Sequence, residues 1–161
     1  MKIGILIVAY NATSTLVDVL NRISDQVWDE VEEVVVFDDA SADDTYELAV
    51  EYQHLSKRAH LKVFRNKENL GYGGNQKEGY RYLIDKGLDI VVLLHGDGQY
   101  APEYLEKMYS PIVKGEADAV FGTRFNKEFG GPRKGGMPLY KFLGNRVLTV
   151  FENHALGVNL S

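Results

Sequence analysis

Ile90-Val91-Val92-Leu93-Leu94 runs without a polar side chain straight into His95-Gly96-Asp97-Gly98-Gln99, and Pro102 follows where a helix can begin. A continuous apolar run of this length predicts a strand buried on both faces of a parallel sheet. The same pattern recurs. Lys2 to Ala9 is nearly all apolar and breaks at Tyr10-Asn11, while Val31 to Phe37 is β-branched and breaks at Asp38-Asp39-Ala40-Ser41. Leu61 to Phe64 is a shorter third run, followed by a polar, glycine-rich connection from Arg65 to Asn75.

Between these runs the apolar residues recur at helical spacing. Leu16, Val17, Leu20 and Ile23 form one stripe, and Leu48, Tyr52 and Leu55 mark the inward face of a second. Asp43 and Asp44 open that second helix, where negative charge complements the macrodipole. A helix over Asn75 to Lys86 stops at Gly87, and Gly79 within it costs about 1 kcal/mol relative to Ala. Close approach of another backbone would account for that glycine. Pro102 starts a helix with Leu105, Met108 and Ile112 on one side, and Pro111 is expected to kink or end it after Ser110. Ala119 to Gly122 reads as a last short strand.

Strands alternating with helices predict an α/β chain built from successive βαβ units around a mostly parallel sheet. The carboxyl ends of parallel strands lie along one edge, where open α/β sheets bind ligands. The polar stretches at 10–11, 38–41, 69–75 and 95–99 are therefore expected to converge. Gly96 and Gly98 let the backbone turn tightly around Asp97, so that its carboxylate can face a ligand. With Gln99 it offers the hard oxygen ligands that a metal carrying a diphosphate needs. The alternative at this point is that Asp97 caps the following helix. Asp38 and Asp39 can accept hydrogen bonds from a nucleobase or from ribose hydroxyls, or else stand solvated while Ser41 or Asp43 caps a helix. Tyr10 can stack on a base or simply pack.

Several function classes are excluded or disfavoured. The first strand-to-helix turn, Ala9-Tyr10-Asn11-Ala12-Thr13-Ser14, has no glycine for a dinucleotide fingerprint, and no P-loop pattern occurs. With no cysteine there is no disulfide framework or thiolate metal site. The net charge of −5 argues against nucleic-acid binding. Arg124, Lys127, Arg133, Lys134, Lys141 and Arg146 nevertheless cluster with a single acid, Glu128. A basic patch on an otherwise acidic chain points to an anionic small ligand or a membrane surface, or is a solvated loop. No apolar run approaches the roughly 20 residues that a membrane span requires.

Five motifs then stand in order: Val-Ala-Tyr-Asn at 8–11, Asp-Asp-Ala-Ser at 38–41, Asn-Leu-Gly-Tyr-Gly-Gly-Asn at 69–75, His-Gly-Asp-Gly-Gln-Tyr at 95–100 and Gly-Thr-Arg at 122–124. Together they resemble the nucleotide-sugar half of a family 2 glycosyltransferase, nearest to the polyprenyl- or dolichyl-phosphate sugar transferases. The resemblance implies the GT-A fold, a Rossmann-like three-layer αβα arrangement, across a single domain of residues 1–161. Residues 1–124 would form the donor-binding core, 125–138 a mobile loop, and 139–161 a helix leading to an acceptor part beyond this chain.

By position, Tyr10 and Asn11 would border the base of a UDP- or GDP-linked sugar, with Ala9 beside them in the donor site, and Asp38 would accept its N–H. Asp39 and Ser41 would lie near ribose or diphosphate, with Asn69, Gly71, Gly74 and Asn75 completing the donor site. Asp97 would bind magnesium or manganese on the diphosphate, assisted by Gln99. Arg124, with Arg133, would meet the acceptor phosphate or the donor's oxygens. The family transfers by direct displacement with inversion. The resemblance also implies a polyprenyl- or dolichyl-phosphate acceptor and a cytoplasmic protein with peripheral contact at the cytoplasmic face of a membrane.

Two departures stand out. His95 occupies the first position of the family's Asp-x-Asp metal motif, so it either ligates the metal, orients Asp97 or packs. The acidic residue usually assigned as base is expected beyond Ser161. The competing readings are a sugar-nucleotide nucleotidyltransferase and a non-catalytic nucleotide-binding module.

Overall fold

A computed structural model of the chain describes residues 1–122 and 138–157, with the side chains of Lys141 and Phe142 outside the described set. The chain divides into two compact units, Met1–Val120 and Phe121–Ser161.

The first unit carries a four-stranded sheet in the order β3-β2-β1-β4, formed by β1 (Ile3–Ala9), β2 (Glu33–Asp38), β3 (Leu61–Arg65) and β4 (Ile90–His95). Every pairing is parallel. Its helices are α1 (Leu16–Asn21), α2 (Asp25–Glu30), α3 (Thr45–Ser56), α4 (Gly71–Asp85) and α5 (Leu105–Val113), the last preceded by a 3-10 turn at Pro102–Tyr104.

The period of two along each strand sorts the core into two layers. Ile5, Ile7, Val34, Val36, Val92 and Leu94 face one side, where Leu16, Leu20, Trp28, Ala49 and Leu105 from the helices meet them. Leu6, Val8, Val35 and Phe37 face the other, against Leu83 of α4 and a half-buried aromatic fringe of Phe64, Tyr80 and Tyr82. This is the expected three-layer αβα arrangement. All residues of β1 and β2 are buried, so their unbroken apolar runs reflect cover on both faces.

β4 departs from expectation. Ile90, Val92 and Leu94 are buried, whereas Val91, Leu93 and His95 are half-buried. It lies at the edge of the described sheet, so an apolar run read as doubly covered is fully covered on one face only.

Other boundaries shift for identifiable reasons. α2 was not expected; Ser24 caps it by accepting from the Val27 N–H at 3.3 Å, and Trp28 is its buried anchor. α4 begins at Gly71 rather than Asn75, because tertiary contacts outweigh the weak helix propensity of three glycines. α5 runs through Pro111 to Val113, and Ile112, beyond the proline, packs on the core. Leu55 is 72% exposed; the inward face of α3 belongs to Thr45, Ala49 and Tyr52. Ala119 to Gly122 form no strand. The close neighbour of Gly79 is the buried side chain of Leu6 rather than a backbone.

In the second unit the described element is α6 (Leu139–Leu156). Leu139, Leu143, Val147, Val150 and Phe151 on its apolar side are exposed. Among the described residues no helix is long and apolar enough to cross a membrane. Arg124, Arg133 and the 125–137 part of the loop lie outside the described residues.

Candidate functional site

At the carboxyl edge of the sheet lies a cleft of about 330 Å³. Val8, Ala9 and Tyr10 line it from the end of β1, Asp39 from the end of β2, Asn69, Gly71, Tyr72 and Asn75 from the start of α4, and His95 and Asp97 from the end of β4. The four polar stretches do converge.

The strand ends are locked in register. The Asp39 N–H donates to the Ala9 carbonyl and the Gly96 N–H to the Val8 carbonyl, each at 2.9 Å, extending the ladder on both sides of β1. Thr15 Oγ1 then donates to the Gly96 carbonyl at 2.8 Å, tying the turn before α1 to the loop carrying Asp97. The turns after β1 and β2 are laced together in turn. The Asn11 N–H donates to Ser41 Oγ, and Asn11 Oδ1 accepts from the Ala42 N–H, both at 2.9 Å. Asn11 and Ala40 sit at positive φ (48° and 54°). Asp43 receives hydrogen bonds from Thr13 and Thr45. Partial burial pushes its carboxyl up, but those bonds outweigh it and hold it below the ordinary range.

The adjacent aspartates part company. Asp38 is fully buried, accepts from both the N–H and hydroxyl of Ser41, and lies 3.4 Å from Arg65 Nε. It builds the turn and does not line the cleft. Asp39 does line it, although only 2% exposed. Its Oδ1 accepts from the Leu70 N–H at 2.9 Å and from Asn66 Nδ2 at 2.8 Å. Asn66 also donates to Asn75 Oδ1 at 3.0 Å, and Asn75 Nδ2 donates to the Phe37 carbonyl at 2.9 Å. A chain of amides thus runs from the carboxyl end of β2 to the cleft floor. Gly74 does not line the cleft; a Cβ there would lie 2.6 Å from Leu70 Cβ, so the tight start of α4 requires its absence.

At the other end Asp97 is exposed, and its Oδ1 accepts from the Gln99 N–H at 2.9 Å. The Gln99 side chain is exposed and not part of the cleft wall. His95 packs edge-on against Tyr72 and Tyr100, with ring centroids 5.1 and 4.6 Å away, and its Nε2 hydrogen-bonds Tyr72 OH at 2.9 Å.

Among the described residues no group of three His, Asp or Glu side chains converges as a self-sufficient metal cage. The donor set fits a hard cation held mostly by a ligand's phosphates and by water, with one protein carboxylate, which is how magnesium commonly binds. Asp97 would take that role, since its Oδ2 makes no protein hydrogen bond among the described residues. His95 Nε2 is already committed to Tyr72.

Asn66, Tyr72 and the Leu70 N–H are not among the site residues that the sequence singles out. Asn66 follows β3 directly, and the strand-end rule that selected Asp38 and Asp39 would have selected it too.

The model of the family described as glycosyl transferase family 2 matches residues 4–159. The chain is 30% identical over 155 residues to the UDP-N-acetylglucosamine–dolichyl-phosphate N-acetylglucosaminyltransferase of Methanococcus voltae, covering 89% of this chain and 59% of that protein. It is also 30% identical over 143 residues to the dolichol-phosphate mannosyltransferase of Pyrococcus furiosus, covering 89% and 38%. The chain therefore spans only part of the length of these relatives. Among solved structures, S. aureus TarS 1-349 in complex with UDP superposes with a TM-score of 0.56 at 25% identity, covering 78% of this chain and 40% of that one. The glucosyl-3-phosphoglycerate synthase of Mycobacterium tuberculosis, in complex with Mn2+, UDP and phosphoglyceric acid, gives 0.55 at 25% identity, covering 71% and 40%. The parallel αβα architecture, the cleft at its carboxyl edge and the matched span agree: the chain belongs to glycosyl transferase family 2.

Proposed function

We propose that this chain binds a nucleoside-diphosphate sugar and forms the donor half of an inverting glycosyltransferase that delivers the sugar to a polyprenyl-phosphate-type acceptor. The observation that carries the proposal is the meeting of Tyr10, Asp39, Asn69 and Asp97 around one cleft. Asp39 accepts a base N–H on the cleft floor, a role the sequence reading gave to Asp38. Tyr10, 52% exposed at the rim, stacks on the base. Asn69 stands beside the base, Gly71 flanks the ribose and diphosphate, and Asp97 would hold magnesium or manganese beside the phosphates. The metal, when bound, neutralises charge on the departing nucleoside diphosphate.

Tyr72 and Tyr100 keep His95 in place next to Asp97, so His95 positions the loop rather than ligating the metal. The acceptor's phosphate oxygen, ionised at neutral pH, displaces the diphosphate at the anomeric carbon from the opposite side, which inverts the configuration. Arg124 and Arg133 meet the acceptor phosphate, where a planar guanidinium pairs well with phosphate oxygens. The acceptor's lipid brings the reaction to the cytoplasmic face of a membrane. The exposed apolar side of α6 supports peripheral contact there. The two curated relatives act, by name, on dolichyl or dolichol phosphate.

Calorimetry with UDP, UDP-N-acetylglucosamine and GDP-mannose, with and without Mn2+, tests this. Nucleotide affinity should depend on the metal, and Asp97→Ala should remove that dependence. Absence of binding by every nucleotide, or binding indifferent to both metal and Asp97, overturns the proposal.

A further inference from the structure

Building on the nucleotide-binding reading above, we infer that the cleft selects uracil over guanine and cytosine, through the way the Asp39 carboxylate is already used by the protein. A carboxylate offers two oxygens, each with about two acceptor sites. Both sites of Oδ1 are filled, by the Leu70 N–H at 2.9 Å and by Asn66 Nδ2 at 2.8 Å. Neither donor is free to leave. Leu70 N belongs to the backbone at the start of α4. Asn66 is fixed by its own N–H to the Asp38 carbonyl and by its second bond to Asn75 Oδ1. Only Oδ2 has no hydrogen bond among the described residues. Asp39 therefore presents a single accepting oxygen to a ligand.

The three bases differ at the edge that meets it. Uracil carries one donor, N3–H, between two acceptors, O2 and O4. Its N3–H matches Oδ2, and an acceptor beside it needs a donor from the protein. Asn69 lines the same cleft. Its Oδ1 accepts from the Gly71 N–H at 2.9 Å, which leaves its NH2 without a protein partner among the described residues and available to a uracil carbonyl. Guanine instead carries N1–H and N2–H2 side by side, a pair that a carboxylate satisfies with both oxygens at once. Here Oδ1 is spent, so guanine's second donor is left unpaired. Cytosine is worse matched, because its unprotonated N3 would set a lone pair against Oδ2. An unpaired buried donor, or a lone pair facing a lone pair, costs about tenfold or more in affinity.

The same geometry predicts a reversal. In Asp39→Asn the amide oxygen stays on the inner side, where the Leu70 N–H and Asn66 demand an acceptor, so the NH2 faces the cleft. That donor fits cytosine N3 and opposes uracil N3–H. Both inward hydrogen bonds survive, so the change leaves the floor of the cleft intact.

The experiment is a competition between UDP, GDP and CDP in Mn2+, by calorimetry, on the wild-type chain and on Asp39→Asn. Wild type should bind UDP at least about tenfold more tightly than GDP or CDP. In the variant UDP should weaken by about tenfold or more and CDP should overtake it. GDP equal to or tighter than UDP on wild type overturns the inference, and that ranking decides even if the variant fails to fold. A folded variant with unchanged UDP affinity, or in which CDP does not overtake UDP, overturns it as well. Failure of all three nucleotides on wild type overturns the nucleotide reading itself, a result distinct from a wrong ranking.

Discussion

Asn75→Asp is the sharpest probe of the wiring beneath the cleft. Asn75 is 2% exposed, donates from Nδ2 to the Phe37 carbonyl at 2.9 Å and accepts at Oδ1 from Asn66. The substitution changes almost no volume but removes the donor. An ionised carboxylate would set an oxygen against the Phe37 carbonyl, orphaning a buried acceptor at a cost of about 1–3 kcal/mol. Burial of the charge adds to this, since each pKa unit by which burial raises a carboxyl corresponds to about 1.4 kcal/mol. Together these give a destabilisation of about 3–4 kcal/mol at pH 7. The introduced carboxyl escapes by taking a proton, because its O–H then donates to the Phe37 carbonyl as the amide did.

The sign follows from that escape. A carboxyl whose folded pKa is raised favours the fold below its unfolded pKa of about 3.9 and loses that contribution as pH rises through the folded value. The difference from wild type should therefore shrink to about 1 kcal/mol at pH 4. Urea denaturation of both proteins at pH 7 and pH 4 measures it, and taking the difference removes the acid sensitivity they share. Nucleotide affinity should fall in parallel at pH 7, since Asn66 and Asp39 lose their anchor. An equal penalty at both pH values would refute the hydrogen-bond polarity on which this rests.

Two further outcomes test the packing. Gly79→Ala gains about 1 kcal/mol of helix propensity, but its methyl would crowd the fully buried Leu6, with Cδ2 at 2.7 Å. Overpacking costs about 1–3 kcal/mol, so the urea midpoint should fall in wild type and rise when the same change is made in a Leu6→Ala background. His60 Nε2 is buried without a hydrogen-bond partner among the described residues, and burial, reinforced by the Arg58 charge, holds its pKa below the ordinary value. Its stabilising contribution is present above the unfolded pKa of about 6.5 and is lost as pH falls from there through the folded value. In His60→Phe the fall in stability between pH 7.5 and 5 should be shallower than in wild type, by urea denaturation at each pH.

Much of the fold was legible because the sheet interior leaves no alternative. β1 and β2 are covered on both faces, so almost every residue must be apolar and the run itself announces the strand. The misreadings fall where local preference and tertiary contact disagree. Gly71, Gly73 and Gly74 read as a loop but begin α4, because Asn69 Oδ1 takes the Gly71 N–H and Asn75 anchors the first turn to β2. Pro111 reads as a stop, yet α5 continues because Ile112 still has core to cover. β4 is as apolar as its neighbours although one of its faces is only half-covered, and no pattern of residue types distinguishes that position from the centre.

The paired aspartates show what finer use of the same rules recovers. Side chains alternate across a strand, so Asp38 shares a face with Val34 and Val36, whose partners are the packed helices of the larger core layer. A carboxylate continuing that face is driven inward and must be neutralised there, as Ser41 and Arg65 do. Asp39 follows Phe37 and Val35 onto the α4 face, where the helix starts one loop later and leaves the cleft open. Strand parity alone therefore divides the pair into a turn-building carboxylate and a cleft-facing one. What parity cannot supply is the identity of the groups that occupy Asp39 Oδ1, since Asn66 and Leu70 reach it only through the connection from β3 to α4. The uracil preference inferred above therefore rests on that connection, about thirty residues along the chain from Asp39.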